Sequence, residues 1–501
     1  LTFAYSILGG ALLVLIQPRF DLAFLAPFVL APFVLAAEDE SRWSRRFLAG
    51  WLGGAIAWSG SCYWIRFVID HHGGLNYPLS LVGLLIFALY KGLQTAAFLA
   101  IARPLVHSPW ALLLIPALWT GLERTHGPMG FAWFVLGNAA IDYPVVPRLA
   151  PVLGVYGCSY WLAMCGTLAA KLWIARCRGN HLLLRNLAPA VLLLIPLFLP
   201  GLPSGQLPSA EAAVLQPNID LDGGWTRESA RAFQERVVAE TLAEALKNPR
   251  PNVITWPEMP APLYFENDAA FRDLAQSVPR LSGRPFLFNT VTYNSQGAPL
   301  NSAILLAADG TPQERYDKMY LVPFGEFVPK WFSFVNRISD EAGDFAEGSR
   351  VVVFSLPGVA EAPRLGAFIC YESAFPHLVR RFTWRGAQVL FNLSNDGYFG
   401  DRAAREQHLA LARMRAIENR RWVVRPTNDG ITASIDPAGR VRARLPEFQP
   451  LTARLPFGSE TELTPYVRHG DWFAWSCLIL AAGAALFQFR KFDLQTLNFS
   501  K

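Results

Sequence analysis

One thiol stands apart in this sequence. In "FICYESAFP" (368–376) Cys370 closes an apolar, strand-like run and is followed by Tyr371, Glu372 and a helix start. A strand end before a tight turn can present a nucleophile, and nearby helix-terminal amides or a cation favour the thiolate. Such a nucleophile needs a base and something to hold the developing oxyanion. "TWPEMP" (255–260) ends a strand on Glu258, whose flanking prolines stiffen the backbone. "YDKMYLVPFGEFVP" (316–329) sets Lys318 and Glu326 in an unusually aromatic loop, where a lysine either snorkels or serves as a fixed positive charge. Taken singly, these are a small buried residue, a solvated carboxylate and a snorkelling amine. Taken together they are a nucleophile, a base and an oxyanion partner. His377 in the helix after Cys370 and His408 in a charged helix fit less well as the base.

The elements that must position these groups lie in one block. "LPGLPSGQLPS" (199–209), rich in Pro, Gly and Ser, marks its start. "EAAVLQPN", "NVITWPE", "PFLFNTVTY", "LNSAILLAADG", "RVVVFSL", "RLGAFIC" and "AQVLFNLS" read as strands. Residues 226–247 and a shorter stretch near 268–277 read as helices. The charged helix 402–420 precedes a hairpin formed by "WVVRPTNDG" and "TASIDPAGRV". Strands mixed with helices predict a layered α/β domain over 205–468.

The rest of the chain is of another kind. Of 501 residues 52% are hydrophobic and only 17% charged, against roughly 25% in ordinary soluble domains. Apolar stretches long enough for a bilayer are expected at 3–17, 21–37, 47–69, 78–101, 109–122, 149–175, 183–200 and 472–489. Eight spans divide the chain into a membrane part, 1–204, the α/β domain, 205–468, and a final helix with its tail, 469–501. Arg42, Arg45, Arg46, Arg103, Arg176, Arg178, Arg185, Arg490 and Lys491 outnumber the basic residues of the alternate loops, Arg19, Arg124 and Arg148. The positive-inside rule then puts both termini in the cytoplasm and 205–468 outside it. The net charge of +6 is thus an orientation signal, and no basic cluster interleaved with aromatics points to nucleic acid.

Five of the six cysteines, Cys62, Cys158, Cys165, Cys177 and Cys477, lie in or beside apolar spans, where cysteine packs as a small hydrophobe. Cys370 has no disulfide partner in its domain. No Cys/His set at ligand spacing occurs, so neither a metal nor a cofactor is expected.

The order "TWPEMP", "YDKMYLVPFGEFVP", "ICYESAFP" resembles the nitrilase superfamily, which uses a Glu–Lys–Cys triad on an α-β-β-α sandwich. "LVPFGEFVP", "NDGYFG" and "ERTHGPMGFAWFVLGNA" (123–139) resemble more narrowly the apolipoprotein N-acyltransferase family, over nearly the whole chain. The resemblance implies Cys370 as nucleophile, Glu258 as base and Lys318 as oxyanion partner. Glu326 matches the family's additional glutamate, and Tyr371 and Glu372 match the residues after its cysteine. Trp225 matches, at looser spacing, a tryptophan on a lipid-facing loop. The implied reaction moves an acyl chain from a phospholipid, with phosphatidylethanolamine the expected donor, through a cysteine thioester. Its acceptor is the α-amine of a diacylated apolipoprotein, at the outer face of a bacterial inner membrane. The aromatic segments 131–135 and 320–334 are candidate lids or interfacial belts. Spans that obstruct the association faces of soluble nitrilases imply a monomer.

Other readings use the same residues. A membrane-tethered amidase would share the triad and send water to the thioester, but so many spans are excessive for a tether. A transporter would want paired ionisable residues within spans, and Glu123 and Arg124 stand only at a span end. A non-catalytic binding module leaves the three motifs unexplained.

Overall fold

The computed structural model describes residues 1–178, 181–203, 207–220, 224–259, 261–327, 345–356, 362–400 and 402–498. They form two compact units. One comprises Leu1–His71, Leu75–Gly201 and His469–Lys501, the other His72–Gly74 and Leu202–Arg468.

The first unit is helical. Tyr77–Val106 is, among the described residues, the one helix both long and apolar enough to cross a membrane. At 1.5 Å per residue it extends about 45 Å. Helices occupy the other expected spans, but they are shorter, interrupted or more polar. Thr2–Leu15 has 14 residues, and the second stretch divides into a 3-10 turn, Ala23–Phe28, carrying Pro27, and the short helix Leu30–Asp39. Residues 181–194 wind as a 3-10 helix carrying Pro189, and Val155–Arg178 contains Lys171, Arg176 and Arg178. Prolines remove helix donors and charges lower hydropathy, so composition alone overstated the regularity of these segments. Small residues let helices meet: a β-carbon at Gly54 would stand 2.8 Å from Gly92 Cα. Segment 131–135 is no exposed belt. Ala132, Trp133, Phe134 and Val135 are buried, and the buried Lys91 donates to the Phe131 carbonyl at 2.9 Å.

The second unit contains two six-stranded sheets. The first has β1 (Ala210–Gln216), β2 (Val253–Thr255), β3 (Phe286–Tyr293), β4 (Pro299–Leu306), β5 (Pro312–Asp317) and the late strand β12 (Leu451–Phe457), ordered β12-β1-β2-β3-β4-β5. The second has β6 (Val353–Phe354), β7 (Leu365–Ile369), β8 (Val389–Leu393), β9 (Val423–Arg425), β10 (Ala433–Ile435) and β11 (Val441–Arg444), ordered β11-β10-β9-β8-β7-β6. Each has a parallel centre, β1-β2-β3 in one and β7-β8-β9 in the other, with antiparallel flanks. Strands buried on both faces explain why β7 and β8 read as continuous apolar runs. Phe391 of β8 meets Phe457 of β12 with ring centroids 6.0 Å apart, one contact between the sheets.

Helices Arg227–Ala245 and Ala269–Ser282 cover the first sheet. Phe271, Ala275 and Val278 recur at helical spacing and pack with Phe233, Val237, Trp256, Phe286 and Phe288 in one apolar core. Each such aromatic contributes roughly 1.5–3 kcal/mol on full burial. Ala269–Ser282 is longer than expected because Asp268 caps its start and Gly283, in the left-handed region, ends it. Helix Pro376–Trp384 packs Leu378, Val379 and Phe382 inward beside β7.

Candidate active site

Parallel strands leave their carboxyl ends on one rim, where ligands of open α/β sheets bind. Glu258 follows β2, Cys370 follows β7, and Lys318 follows β5. Lys318 is 1% exposed and its Nζ lies 2.8 Å from Glu326 Oε1 and 3.2 Å from Glu258 Oε1. Asn301 of β4 supports both carboxylates, its Nδ2 donating to Glu258 Oε1 at 2.8 Å and to Glu326 Oε1 at 2.7 Å. Asn289 of β3 in turn donates to Asn301 Oδ1 at 2.6 Å. The second oxygen of Glu326 accepts from the Val322 amide at 2.8 Å, which ties the lysine loop down. Burial alone would lower the Lys318 proton affinity, but Glu258 and Glu326 outweigh it and hold the ammonium well above the usual lysine range.

Cys370 is buried, free, and held at φ 48°, a left-handed conformation that costs a residue with a β-carbon roughly 1–2 kcal/mol. Strain of this kind collects where a side chain must be aimed. The thiol donates toward the Asn395 carbonyl at 3.7 Å. Burial pushes its proton affinity up, Glu258 adds to this, and Lys318 opposes it. The resting sulfur is therefore a thiol that needs a base at the moment of attack, and it lies in the fields of the carboxylate and the ammonium.

Glu372 belongs to the frame. It is fully buried, and its Oε1 accepts from Tyr316 Oη at 2.7 Å and from the amides of Met319 and Tyr320, while Oε2 accepts from the Ile369 amide at 2.7 Å. One carboxylate thus joins the end of β7 to the loop that carries Lys318. Burial pushes it up to about 7 against these donors. Tyr371 is buried, its ring edge-on to Phe375 at 5.0 Å. Trp225 lies tilted against Phe233, with ring centroids 5.2 Å apart, beside the cap of helix Arg227–Ala245. His377 meets Tyr320 Oη at 2.8 Å, and His408 faces the Cys370 carbonyl, not its sulfur. Within the candidate lid 320–334, residues 328–334 lie outside the described residues, as does Pro260 of "TWPEMP".

Sequence reasoning missed Asn289 and Asn301, hidden inside apolar strands, and Asp396 and Arg425; it weighed His408 only as a less fitting base. "TNDG" after β9 and "SNDG" after β8 were the available signals, since polar clusters at strand ends rim such a site. Tyr398 was missed too. Burial raises its proton affinity first, and then the charges of Glu258 and Glu326 raise it further. Among the described residues no group of His, Cys, Asp and Glu could hold a metal ion. A thiol within the fields of a carboxylate and an ammonium can open an acyl donor by covalent catalysis, with the ammonium stabilising the forming oxyanion.

Two family models match the chain: "Apolipoprotein N-acyltransferase N-terminal domain" over residues 9–168 and "Carbon-nitrogen hydrolase" over residues 211–463. The apolipoprotein N-acyltransferase of Geobacter metallireducens is 32% identical over 98% of this chain and 95% of its own. That of Azotobacter vinelandii is 33% identical over 97% and 95%, and that of Chlorobaculum tepidum 29% over 97% and 96%. The chain therefore belongs to the apolipoprotein N-acyltransferase family, with a carbon-nitrogen hydrolase domain over its residues 211–463.

Proposed function

We propose that this protein moves a fatty acyl chain from a membrane phospholipid, through a thioester on Cys370, to the α-amine of the diacylglyceryl-cysteine of an apolipoprotein. The observation that carries the chemistry is the closure of Lys318 on both Glu258 and Glu326, with the charges of Glu258 and Lys318 acting on a buried thiol. The family's N-acyltransferases supply the direction of transfer.

Glu258 takes the Cys370 proton as sulfur attacks the ester carbonyl. Lys318 faces the negative oxygen of the tetrahedral intermediate, a position that donors of fixed geometry stabilise most. Collapse forms the thioester and expels the lysophospholipid alkoxide, which recovers the proton from Glu258. The neutral amine then attacks the thioester, Glu258 receives its proton, and the departing thiolate takes that proton back. Glu326 keeps Lys318 charged and aimed, and Glu372 holds its loop against the cysteine turn. Trp225 and Tyr371 are assigned to lipid contact and to packing at the turn.

Phosphatidylethanolamine is the proposed donor and a monomer the working unit. The helical segments and the last helix are proposed to cross the bacterial inner membrane eight times, with both termini cytoplasmic and the α/β domain periplasmic. The apolar helix Tyr77–Val106 and the loop bias in arginine support this.

The test is the intact mass of solubilised protein incubated with phosphatidylethanolamine and no acceptor, beside Cys370→Ala. An acyl increment on the wild type alone, discharged by a diacylated lipopeptide, is expected. An increment discharged by water at the same rate with or without lipopeptide would overturn the transfer in favour of a tethered hydrolase.

A further inference from the structure

Behind the cysteine lies a second polar cluster that the proposed reaction does not use. His408, Asp396 and Arg425 are all fully buried. They come from helix Arg402–Asn419, from the turn after β8 and from the end of β9. His408 Nε2 lies 3.0 Å from the Cys370 carbonyl oxygen, and Asn392 Nδ2 approaches the same oxygen at 3.4 Å. His408 Nδ1 lies 2.9 Å from Asp396 Oδ1 and 2.9 Å from Arg425 Nη2, and Arg425 Nη2 also reaches both oxygens of Asp396, at 2.8 and 2.9 Å. Along the same helix face Arg415 donates to the Ser373 carbonyl at 3.0 Å, so one helix grips the cysteine turn at two points.

The proton positions follow from the partners. A carbonyl only accepts, so Nε2 carries the hydrogen. Burial, with Arg425 adding to it, lowers the proton affinity of the ring, and Asp396 opposes both. Nδ1 stands against both the Asp396 carboxylate and the Arg425 guanidinium, which are themselves paired. The ring cannot flip without stranding buried groups. We propose that His408 is a positioning residue for Cys370: its Nε2–H, aimed by Asp396 and Arg425, pins the Cys370 carbonyl and so holds the left-handed backbone from which the thiol reacts.

The inference rests on Cys370 being the nucleophile, and it is tested in the full-length solubilised protein by His408→Gln and His408→Met. Glutamine keeps a donor near the position of Nε2; methionine fills the space without one. Both are followed by thermal melting, by the rate of thioester formation with phosphatidylethanolamine and by alkylation with iodoacetamide. A misaimed reacting atom costs on the order of tenfold or more. Methionine is expected to lose more than about tenfold in both rates at unchanged donor KM, and glutamine less than about tenfold. Undiminished rates in the methionine variant, or equal losses in both folded variants, would overturn the proposal. Should methionine prevent folding, the glutamine variant decides: a folded protein that loses more than about tenfold refutes the role of the donor. Alkylation reads the thiol without lipid, so an error in the acyl-transfer reading shows separately, as a wild type that alkylates but forms no thioester.

Discussion

Replacing Lys318 with methionine is the most searching perturbation of this site. The ammonium is 1% exposed and lies between carboxylates that are 14% and 13% exposed. Breaking a buried ion pair by removing one partner costs about 3–5 kcal/mol, and the slight exposure of Glu258 and Glu326 favours the lower end, about 3 kcal/mol. At about 2–4 °C per kcal/mol for a domain of this size, the melting point at pH 8 should fall by about 6–12 °C. The pH dependence carries the stronger test. In the wild type Lys318 is held above its ordinary value of 10.5, so its contribution is complete at any lower pH and is lost only as pH climbs through the raised value. In the variant two carboxylates share Asn301 without a cation. They repel at alkaline pH and hold a proton between them in acid, so the deficit should shrink by half or more at about pH 5. Thermal unfolding of both proteins by near-ultraviolet circular dichroism, at about pH 5 and pH 8, measures this. Thioester formation should fall by about 10²–10³. An equal deficit at both pH values, or none at either, would show that Lys318 does not neutralise this carboxylate pair.

Three further outcomes are expected. Asn301→Asp sets a third carboxylate against one lysine, and should cost about 3 kcal/mol near pH 8 with recovery in acid, measured by the same melts. At position 370 the usual order of glycine and alanine should invert: Cys370→Gly relieves the left-handed backbone and should unfold in urea no earlier than Cys370→Ala, where glycine ordinarily loses about 0.5–1 kcal/mol. Glu372, raised by burial to about 7, contributes stability that is full below its ordinary 4.5 and is lost as pH rises through 7. Glu372→Gln should therefore flatten the wild-type decline in melting temperature over that window.

What was legible in the sequence was the part written locally. Glu258, Lys318 and Cys370 each end a strand in a short, distinctive segment, and strands such as "RLGAFIC" and "AQVLFNLS" carry their burial in their composition. Asn289 and Asn301 were invisible because their meaning lies in register. Asn289 pairs with Ala303 and Asn301 with Val291, so the two amides are diagonal neighbours on one face. The helix Arg402–Asn419 was read as charged, which its letters support, yet Arg405, Arg415 and His408 are 1% exposed or less. Each has a backbone carbonyl among its partners, which no sequence displays: Asp429 for Arg405, Ser373 for Arg415 and Cys370 for His408. The polar edge strand β5, "PQERYD", gave no alternating signal, and its first three residues are exposed.

The pairing of β12 with β1 has a consequence for how the chain is made. Ala210 stands opposite Phe457 and Gln216 opposite Leu451, so, among the described residues, the strand that opens the α/β domain waits for the last one. Synthesis delivers residues in order, and the domain cannot complete its first sheet until residue 457 has emerged. Until then β1, with Ala212, Ala213, Val214 and Leu215 buried in the finished fold, presents one edge with no neighbour. A ribosome that stalls or a frameshift anywhere upstream of residue 451 would leave a sticky, unclosed product for proteases to clear, and no partly active fragment.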